Sequence, residues 1–416
     1  MSVSICQTVF TGSIYYLNMN ISYSKTTIGV FLNAFWVYGK GMSGGDQMAI
    51  QIFARIRDSF HVLHWFTNPN GQQAVNRFVK NVTFSTTPAW FDRLPIGLSY
   101  ILRTIHATIS LFRKQVDIVY SGSDFFPDLL PAFFYTRFRP DTRWIQCIFH
   151  IYPDWHTRPG NQTVNFVATI LQNISLCLAR YADGVVNINH EVHDALISRG
   201  FDARKLAIIT PGVDLDFIKT IPPGNDQQTY DAVFLGRLTP SKGIFDLAPI
   251  WKRVTKRFPN SRLAVIGGGS SEVVSKLAGE FASIGLQNNI DLLGYVETET
   301  TYAVLKRARC LISPSHEEGF GIVIVEAMAC GVPVVAWNLP VYNELFGETI
   351  TTVPLEDLHA FADALIALMS NSEKNADMIS QAHQCAQRYS WFGVSRDMQH
   401  WLFGSRQSSS RMVPTL

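Results

Sequence analysis

Several things this 416-residue chain lacks narrow its possible roles. No apolar run reaches the length of a membrane span. The nearest, at 163–179, is interrupted by Asn165, Gln172 and Asn173. There is no CxxC pair and no His/Cys cluster at zinc spacing. The six cysteines, Cys6, Cys147, Cys177, Cys310, Cys330 and Cys385, are scattered and several lie in apolar runs. Buried free thiols in a reducing, cytoplasmic setting are the expectation, with no metal site, and the sequon at Asn173 would then carry no glycan. Charge of one sign is also missing. A net +2 with no dense basic block argues against nucleic acid as a partner. The opening residues have neither a basic start nor a sustained apolar core, so no signal peptide is expected, and Met1 and Met19 are both candidate starts. No P-loop occurs, and the single GxGxxG spacing, Gly39 to Gly44, is by itself a weak sign of an NAD-dependent oxidoreductase.

What is present is globular. A 47% hydrophobic share with 16% charged residues excludes disorder for most of the length, and 416 residues call for two domains. Apolar runs at 27–35, 62–66, 82–85, 116–120, 144–149, 184–188 and 206–210 read as buried strands. Helical patterns lie between them, at 96–112, near 164–180 and from His190. Two polar, breaker-rich pieces, 211–214 and 221–228, read together as a linker. Strands then restart at 231–235, 263–266, 290–293, 310–312 and 332–336. This alternation predicts two doubly wound parallel sheets, an α/β fold, with domains at 26–215 and 229–389. The leader 1–25 and the tail 404–416 are expected to be poorly structured, and a last amphipathic helix opens at Tyr389-Ser390-Trp391.

The stretch 313–345 has a distinctive punctuation. Ser313-Pro314-Ser315 leaves a strand, Glu317 and Glu318 follow, then Gly319-Phe320-Gly321 opens an apolar helix that carries Glu326 and stops at Gly331. Such a turn presents free N–H groups at a helix N-terminus, a site for phosphate. Ionised carboxylates beside it accept hydrogen bonds from hydroxyl-rich ligands such as a ribose or a hexose. A glycosidase acid/base pair is the rival reading of Glu318 and Glu326. Eight residues along one helix would give a rise of about 12 Å and roughly 80° of rotation, against about 5–9.5 Å for glycosidase pairs. Two contacts along an extended ligand fit better.

Other candidates sit where strands end. Gly236-Arg237-Leu238-Thr239-Pro240-Ser241-Lys242-Gly243 places two cations on a loop that opens a helix, suited to a diphosphate; the alternative is a pair of solvated charges. Gly267-Gly268-Gly269-Ser270 reads as a tight turn lining the cleft. Gly294-Tyr295 at the same edge is placed to meet a base. In the first domain a glycine-rich loop ending in Gly44-Gly45-Asp46 follows the first strand, at the end of the sheet where open α/β folds bind ligands. His150 ends another strand and is as consistent with a structural as with a cleft role.

Together these residues resemble the retaining GT-B glycosyltransferases of the glycosyl transferases group 1 family. Glu318 to Glu326 looks like that family's E-x7-E motif, GRLTPSKG its arginine/lysine diphosphate loop, Gly44-Gly45 its first-domain GG loop, and Ile209–Asp214 its P-x-G-V-D entry to the linker. The resemblance covers roughly 26–403. It implies two Rossmann-like domains facing a central cleft, with the helix at about 390–403 crossing back to the first. It also implies roles. Glu326 would bind the nucleotide ribose. Glu318 would hold the transferred sugar, with backbone groups of Gly319, Phe320, Gly321 and Ile322. Arg237 and Lys242 would neutralise the leaving diphosphate, Gly44-Gly45 would approach it from the other domain, and His150 would lie beside the sugar. Asp46-Gln47 departs from the Ala-Glu of many relatives, and the leader has no counterpart.

The implied activity is that of a metal-independent, retaining hexosyltransferase in glycan, polysaccharide or glycolipid biosynthesis. It would need no cofactor, a UDP- or GDP-sugar as donor, and a glycan or lipid-linked acceptor. The alternatives are a nucleotide-sugar hydrolase or epimerase of the same fold, and an inactive binding subunit. Arg93, Arg103, Arg113, Lys114, Arg137, Arg139 and Arg143, interleaved with aromatics, raise the further expectation of peripheral contact with the inner face of an anionic membrane. Ordinary solvated faces are the alternative.

Overall fold

A computed structural model describes residues 25–35, 44–156, 161–224, 229–370 and 375–404. Residues 1–24, Gly39–Ser43, residues 225–228 of the linker and the tail from 405 lie outside the described residues, as does Cys6. Seven parallel strands form the first sheet: β1 Thr27–Leu32, β2 Val62–Thr67, β3 Thr83–Thr86, β4 Ile118–Ser121, β5 Arg143–Cys147, β6 Gly184–Asn187 and β7 Leu206–Ile208. Their order is β3-β2-β1-β4-β5-β6-β7. Six make the second: β8 Ala232–Leu235, β9 Leu263–Ile266, β10 Ile290–Gly294, β11 Cys310–Ser313, β12 Val334–Trp337 and β13 Thr351–Val353, ordered β10-β9-β8-β11-β12-β13. Both are the doubly wound sheets expected.

The central strands are apolar throughout because helices cover both faces, and β4, β9, β11 and β12 are buried at every residue. β3, at an edge, differs. Its Thr83 and Ser85 hydroxyls bond the two ring nitrogens of His64 on β2, at 2.5 and 2.9 Å. Burial pushes that imidazole down to about 4, a pinned structural histidine.

In each sheet the strand order reverses once, between β1 and β4 and between β8 and β11. At such a point adjacent loops leave in opposite directions and a crevice opens at the carboxyl ends of the strands. The candidate residues of both domains lie on the loops at these ends or in the opening turns of the helices that follow them.

Several local expectations are corrected. The stretch 211–224 is not a plain linker. Asp214 caps a helix at Leu215–Thr220 by accepting from the Phe217 N–H at 3.0 Å. Gly44-Gly45 is not a loop but the first turn of helix Gly44–Arg55. β5 ends at Cys147, so His150 lies three residues beyond it. Cys147, Cys310 and Cys385 are buried, but Cys177 is exposed.

The chain returns to the first domain at its end. Val213 N–H donates to Tyr389 O at 2.7 Å, and Trp391 N–H to Val213 O at 3.0 Å. Helix Trp391–Phe403 then packs on helix Gly44–Arg55. Gln399 reaches Ser59 at 2.7 Å, Phe403 meets Phe60, and Arg143 lies over the Trp401 ring while donating to Leu402 O.

Candidate functional site

The loops after β8 and β11 are built as one unit. Gly243 has φ +66°, and a Cβ there would lie 1.7 Å from Pro314 O, so only glycine lets the two loops meet. His316 N–H donates to Ser241 O at 2.9 Å, and Ser315 Oγ to the same carbonyl at 3.3 Å. The His316 ring bonds Asp246 at 2.7 Å, and Asp246 also accepts from the Trp337 indole. These contacts bring Lys242 Nζ to 2.5 Å from Glu318 Oε1, with both side chains largely shielded from water. Two residues 76 apart in sequence thus form one charged pair at the β8/β11 crevice.

Arg237 is exposed, and among the described residues its guanidinium makes no hydrogen bond or ion pair. Helix Ile322–Ala329 begins at Gly321, φ +85°, with no side chain capping it. A free guanidinium, a lysine and an uncapped helix N-terminus therefore share one region, a set suited to a diphosphate. Phe320 turns into the core against Phe346 and Tyr389, so only its backbone faces the crevice.

Glu326 occupies a different environment from Glu318. It sits one turn into the helix, where the Tyr302 hydroxyl donates to Oε1 at 2.9 Å. Burial pushes this carboxyl up to about 7, opposed by the Tyr302 hydrogen bond. The Tyr302 phenol is raised as well, by burial first and then by the neighbouring carboxylate. A lysine holds one glutamate and a tyrosine the other, which separates their roles and fits no shared acid/base task.

The loops after β8, β9 and β10 are tied edge to edge. Leu238 N–H donates to Gly268 O at 2.9 Å and Gly267 N–H to Gly294 O at 2.8 Å. Gly267–Gly269 is thus the tight turn expected of it. Tyr295 stands exposed at the far end of this shelf, two strands from β8, and no described contact joins it to Lys242, Glu318 or Glu326.

The first domain closes the other wall. His150 Nε2 lies 3.1 Å from Glu317 Oε1, across the crevice from its own domain. Asn189 Nδ2 donates to Gly319 O at 2.6 Å, and His190 N–H to Glu344 at 3.0 Å. Gly45 abuts the Phe149 ring so closely that a Cβ would sit 2.6 Å from it. The same Phe149 has its carbonyl 3.8 Å from the Cβ position of Gly319. Gly45, Phe149 and Gly319 therefore stack across the interface. Gly44 has open space around its Cβ position.

Behind this wall Gln172 holds the segment bearing His150. Its amide donates to His150 O at 2.9 Å and to Asp124 at 3.0 Å, and its oxygen accepts the Tyr152 N–H at 2.8 Å. Nothing in the sequence marked Gln172, Asn189 or the Glu317 contact. Each depends on chain segments at least 20 residues apart. Arg103, counted among the basic surface residues, is instead 2% exposed. It pairs with Asp92 at 2.5 Å and donates to Asn33 O and Phe35 O, supporting the loop that leaves β1. Its position on an inward-facing helix side took it from the surface.

Among the described residues no group of three or more His, Cys, Asp or Glu side chains is arranged to hold a metal ion.

Residues 219–384 match the family profile described as Glycosyl transferases group 1. Phosphatidyl-myo-inositol mannosyltransferase of Mycobacterium leprae is 33% identical over 193 residues, 45% of this chain and 50% of that protein. D-inositol 3-phosphate glycosyltransferase of Corynebacterium urealyticum is 30% identical over 236 residues, 51% of this chain and 54% of that protein. The chain thus spans about half the length of the curated relatives it matches. Whole-chain likeness appears in structure. HepE of Anabaena, solved with UDP and glucose, superposes with a TM-score of 0.71 at 18% identity over 91% of this chain and 99% of its own. Sucrose-phosphate synthase of Thermosynechococcus elongatus gives 0.69 at 16% identity over 91% and 98%. At these identities the likeness establishes the fold, GT-B, and no more.

Proposed function

Since residues 219–384 match the glycosyl transferases group 1 profile and the whole chain has the GT-B fold, we propose that the protein is a glycosyltransferase moving a hexose-type sugar from a nucleoside diphosphate to an acceptor hydroxyl. The observation that carries this reading is the Lys242–Glu318 pair at the β8/β11 crevice, beside free Arg237 and the uncapped helix at Ile322. The donor would lie along that set. Arg237, Lys242 and the helix N–H groups meet the diphosphate, Glu318 the sugar, and Glu326 the ribose from its place beside Tyr302. Gly44 and Gly45 come at the diphosphate from the other wall, His150 stands on the sugar side, and Tyr295 is offered to the base.

Catalysis on this reading is stabilisation of the leaving group. Negative charge grows on the diphosphate as the glycosidic bond breaks, and two cations with a helix dipole meet it. That set supplies the charge a metal ion would otherwise bring. The sugar passes through an oxocarbenium-like state, and the acceptor attacks the face from which the nucleotide departs, with net retention. Relatives named for transfer to phosphatidyl-myo-inositol and to D-inositol 3-phosphate support an acceptor in glycan or glycolipid biosynthesis. A UDP- or GDP-sugar donor is consistent with a neighbour of the same fold solved with UDP and glucose.

The experiment is a panel of nucleotide sugars read by thermal shift and by product analysis. UDP or GDP should raise the melting temperature and NAD should not. Released or transferred sugar should keep the donor's anomeric configuration. An inverted product would overturn retention, and stabilisation by NAD alone would overturn the glycosyltransferase reading.

A further inference from the structure

Two helices on one face of the first sheet are built inside out. Helix Ile96–Phe112 turns Ser99, Arg103, Ala107 and Leu111 inward. Leu98, Ile101, Ile105, Ile109 and Phe112 face out, with Ile101 58% exposed. Helix Gln162–Ala179 buries Asn165, Gln172 and Ser175 ahead of Leu176 and Ala179, while Val164, Val167, Leu171 and Ile174 are exposed. Both outward sets recur at three- and four-residue steps, so each forms one stripe along its helix. A solvated helix normally carries charge on that side. Helix 162–179 has no charged residue at all, and helix 96–112 has only the buried Arg103.

The helix that packs beside both, Phe126–Phe138, joins the stripes. Its Phe138 is 72% exposed and lies 5.8 Å from Phe112, ring to ring. Its one carboxylate, Asp128, is buried under the β1 loop, where it accepts the N–H groups of Asn33 and Ala34. Three neighbouring helices thus show water an apolar face without an exposed acid.

The rim of this face is basic. Arg113 and Lys114 follow the first helix, Arg137 and Arg139 close the second, and Arg180 ends the third. All lie at the amino edge of the strands, away from the cleft. Of the carboxylates in the turns at that edge, Asp117 and Asp183 accept backbone N–H groups from Thr27 and Trp144. Asp141, in the turn after Arg139, is exposed. Arg137 lies over the Phe133 and Tyr181 rings, which holds its charge next to the aromatic surface.

We propose that this three-helix face docks the protein onto an anionic lipid bilayer, with its apolar stripes at the acyl boundary and its arginine and lysine rim on the headgroups. Apolar residues flanked by cations are the chemistry of an interfacial helix. The arrangement lies on a membrane and does not cross it, since no helix among the described residues is long and apolar enough to span one. A second copy of the chain is a poorer occupant, because the rim on the copy also carries more cations than carboxylates and would meet these cations with like charge.

The other end of the face meets the cleft. The amino ends of the three helices lie at the carboxyl edge of the strands, and Gln172, on the inner side of helix 162–179, holds His150 by its carbonyl. Docking would set the cleft at the lipid surface. That it thereby presents a lipid-linked acceptor rests on the glycosyltransferase reading, whereas the docking itself rests on this surface alone.

Flotation of the whole protein with phosphatidylcholine vesicles, with and without phosphatidylglycerol, tests the proposal. Binding should require the anionic lipid and weaken at high salt. Ile105→Glu with Ile174→Glu should abolish it, at a melting temperature within a few degrees of the parent. Arg113→Gln with Arg139→Gln should lower the partition about 25-fold, about fivefold for each cation removed. No flotation with anionic vesicles at low salt would overturn the proposal. So would a dimer in sedimentation that Ile105→Glu dissociates, with no vesicle binding. Protein that floats yet is stabilised by no nucleotide would retain the docking while removing the proposed activity.

Discussion

The two domains share a topology and differ in how they treat their helices. In the second, helix Leu247–Arg257 buries Leu247, Ala248, Ile250, Trp251 and Val254 and turns its lysines and arginines to water. In the first, helices Ile96–Phe112 and Gln162–Ala179 bury serine, arginine, asparagine and glutamine and expose isoleucines. The second domain keeps its charged side chains outward and carries the charged groups of the site on its loops. The first spends its buried polar residues on holding two loops at the cleft. Arg103 and Asp128 fix the segment that leaves β1, and Gln172 fixes His150. The same polar residues that support the cleft leave the apolar side of each helix with no protein to cover it.

The strongest test of this division strikes the second domain's charge. Arg237→Ala with Lys242→Ala should lower kcat about 10³-fold with the fold intact, since on the proposed reading both cations face the developing leaving-group charge. A loss under tenfold, measured on the donor that the nucleotide panel identifies, would move the chemistry elsewhere.

Next comes the contact where the domains meet. Gly45→Val should drive a side chain into the Phe149 ring and misplace one wall against the other, costing about 100-fold in kcat/KM. Phe149→Ala in the same chain should recover part of it. No recovery would mean that Gly45 acts through its own backbone.

A smaller effect is expected at the cross-cleft ion pair. Both side chains of His150–Glu317 are half exposed, so Glu317→Gln should leave the melting temperature unchanged within a degree or so. A change in KM for the donor without a stability change would show that Glu317 competes with substrate for His150.

The smallest shift is at Glu326. Burial raises this carboxyl from 4.5 to about 7, so the folded protein holds a proton that the unfolded chain has released. Its contribution is present below about 4.5 and lost as the pH rises through 7. Glu326→Gln removes the penalty. The variant's melting temperature relative to the parent should be higher at pH 8 than at pH 5 by about 2–4 °C. An equal difference at both pH values would show that the carboxyl is not desolvated. Bound nucleotide, if Glu326 meets the ribose, should lose affinity in the same variant.

Legibility follows the same line between the domains. The strands were readable because a sheet covered on both faces needs continuous apolar runs, as β4, β9 and β11 show. β13, three residues with one buried, left no such run. Arg237, Lys242 and Glu318 could be singled out because each lies on a short loop or turn whose glycines and proline reveal it, and Glu326 because it follows that turn on the helix it opens. The partners of these residues could not. Tyr302, 24 residues before Glu326, looked like any helical tyrosine. Arg103 sat in a basic, aromatic stretch and was read as surface, when its helix presents it inward to Asp92.

The sequence by itself determined the two parallel sheets, the loops bearing the charged groups and the order in which they occur, because hydrophobic period and turn chemistry are local. Only the tertiary structure decided which charges meet, as with Lys242 on Glu318 and His150 on Glu317, and which side of a helix faces water. Those outcomes depend on the packing of segments far apart in the chain. A helical stripe of isoleucines is the same in sequence whether it points to a core or away from one.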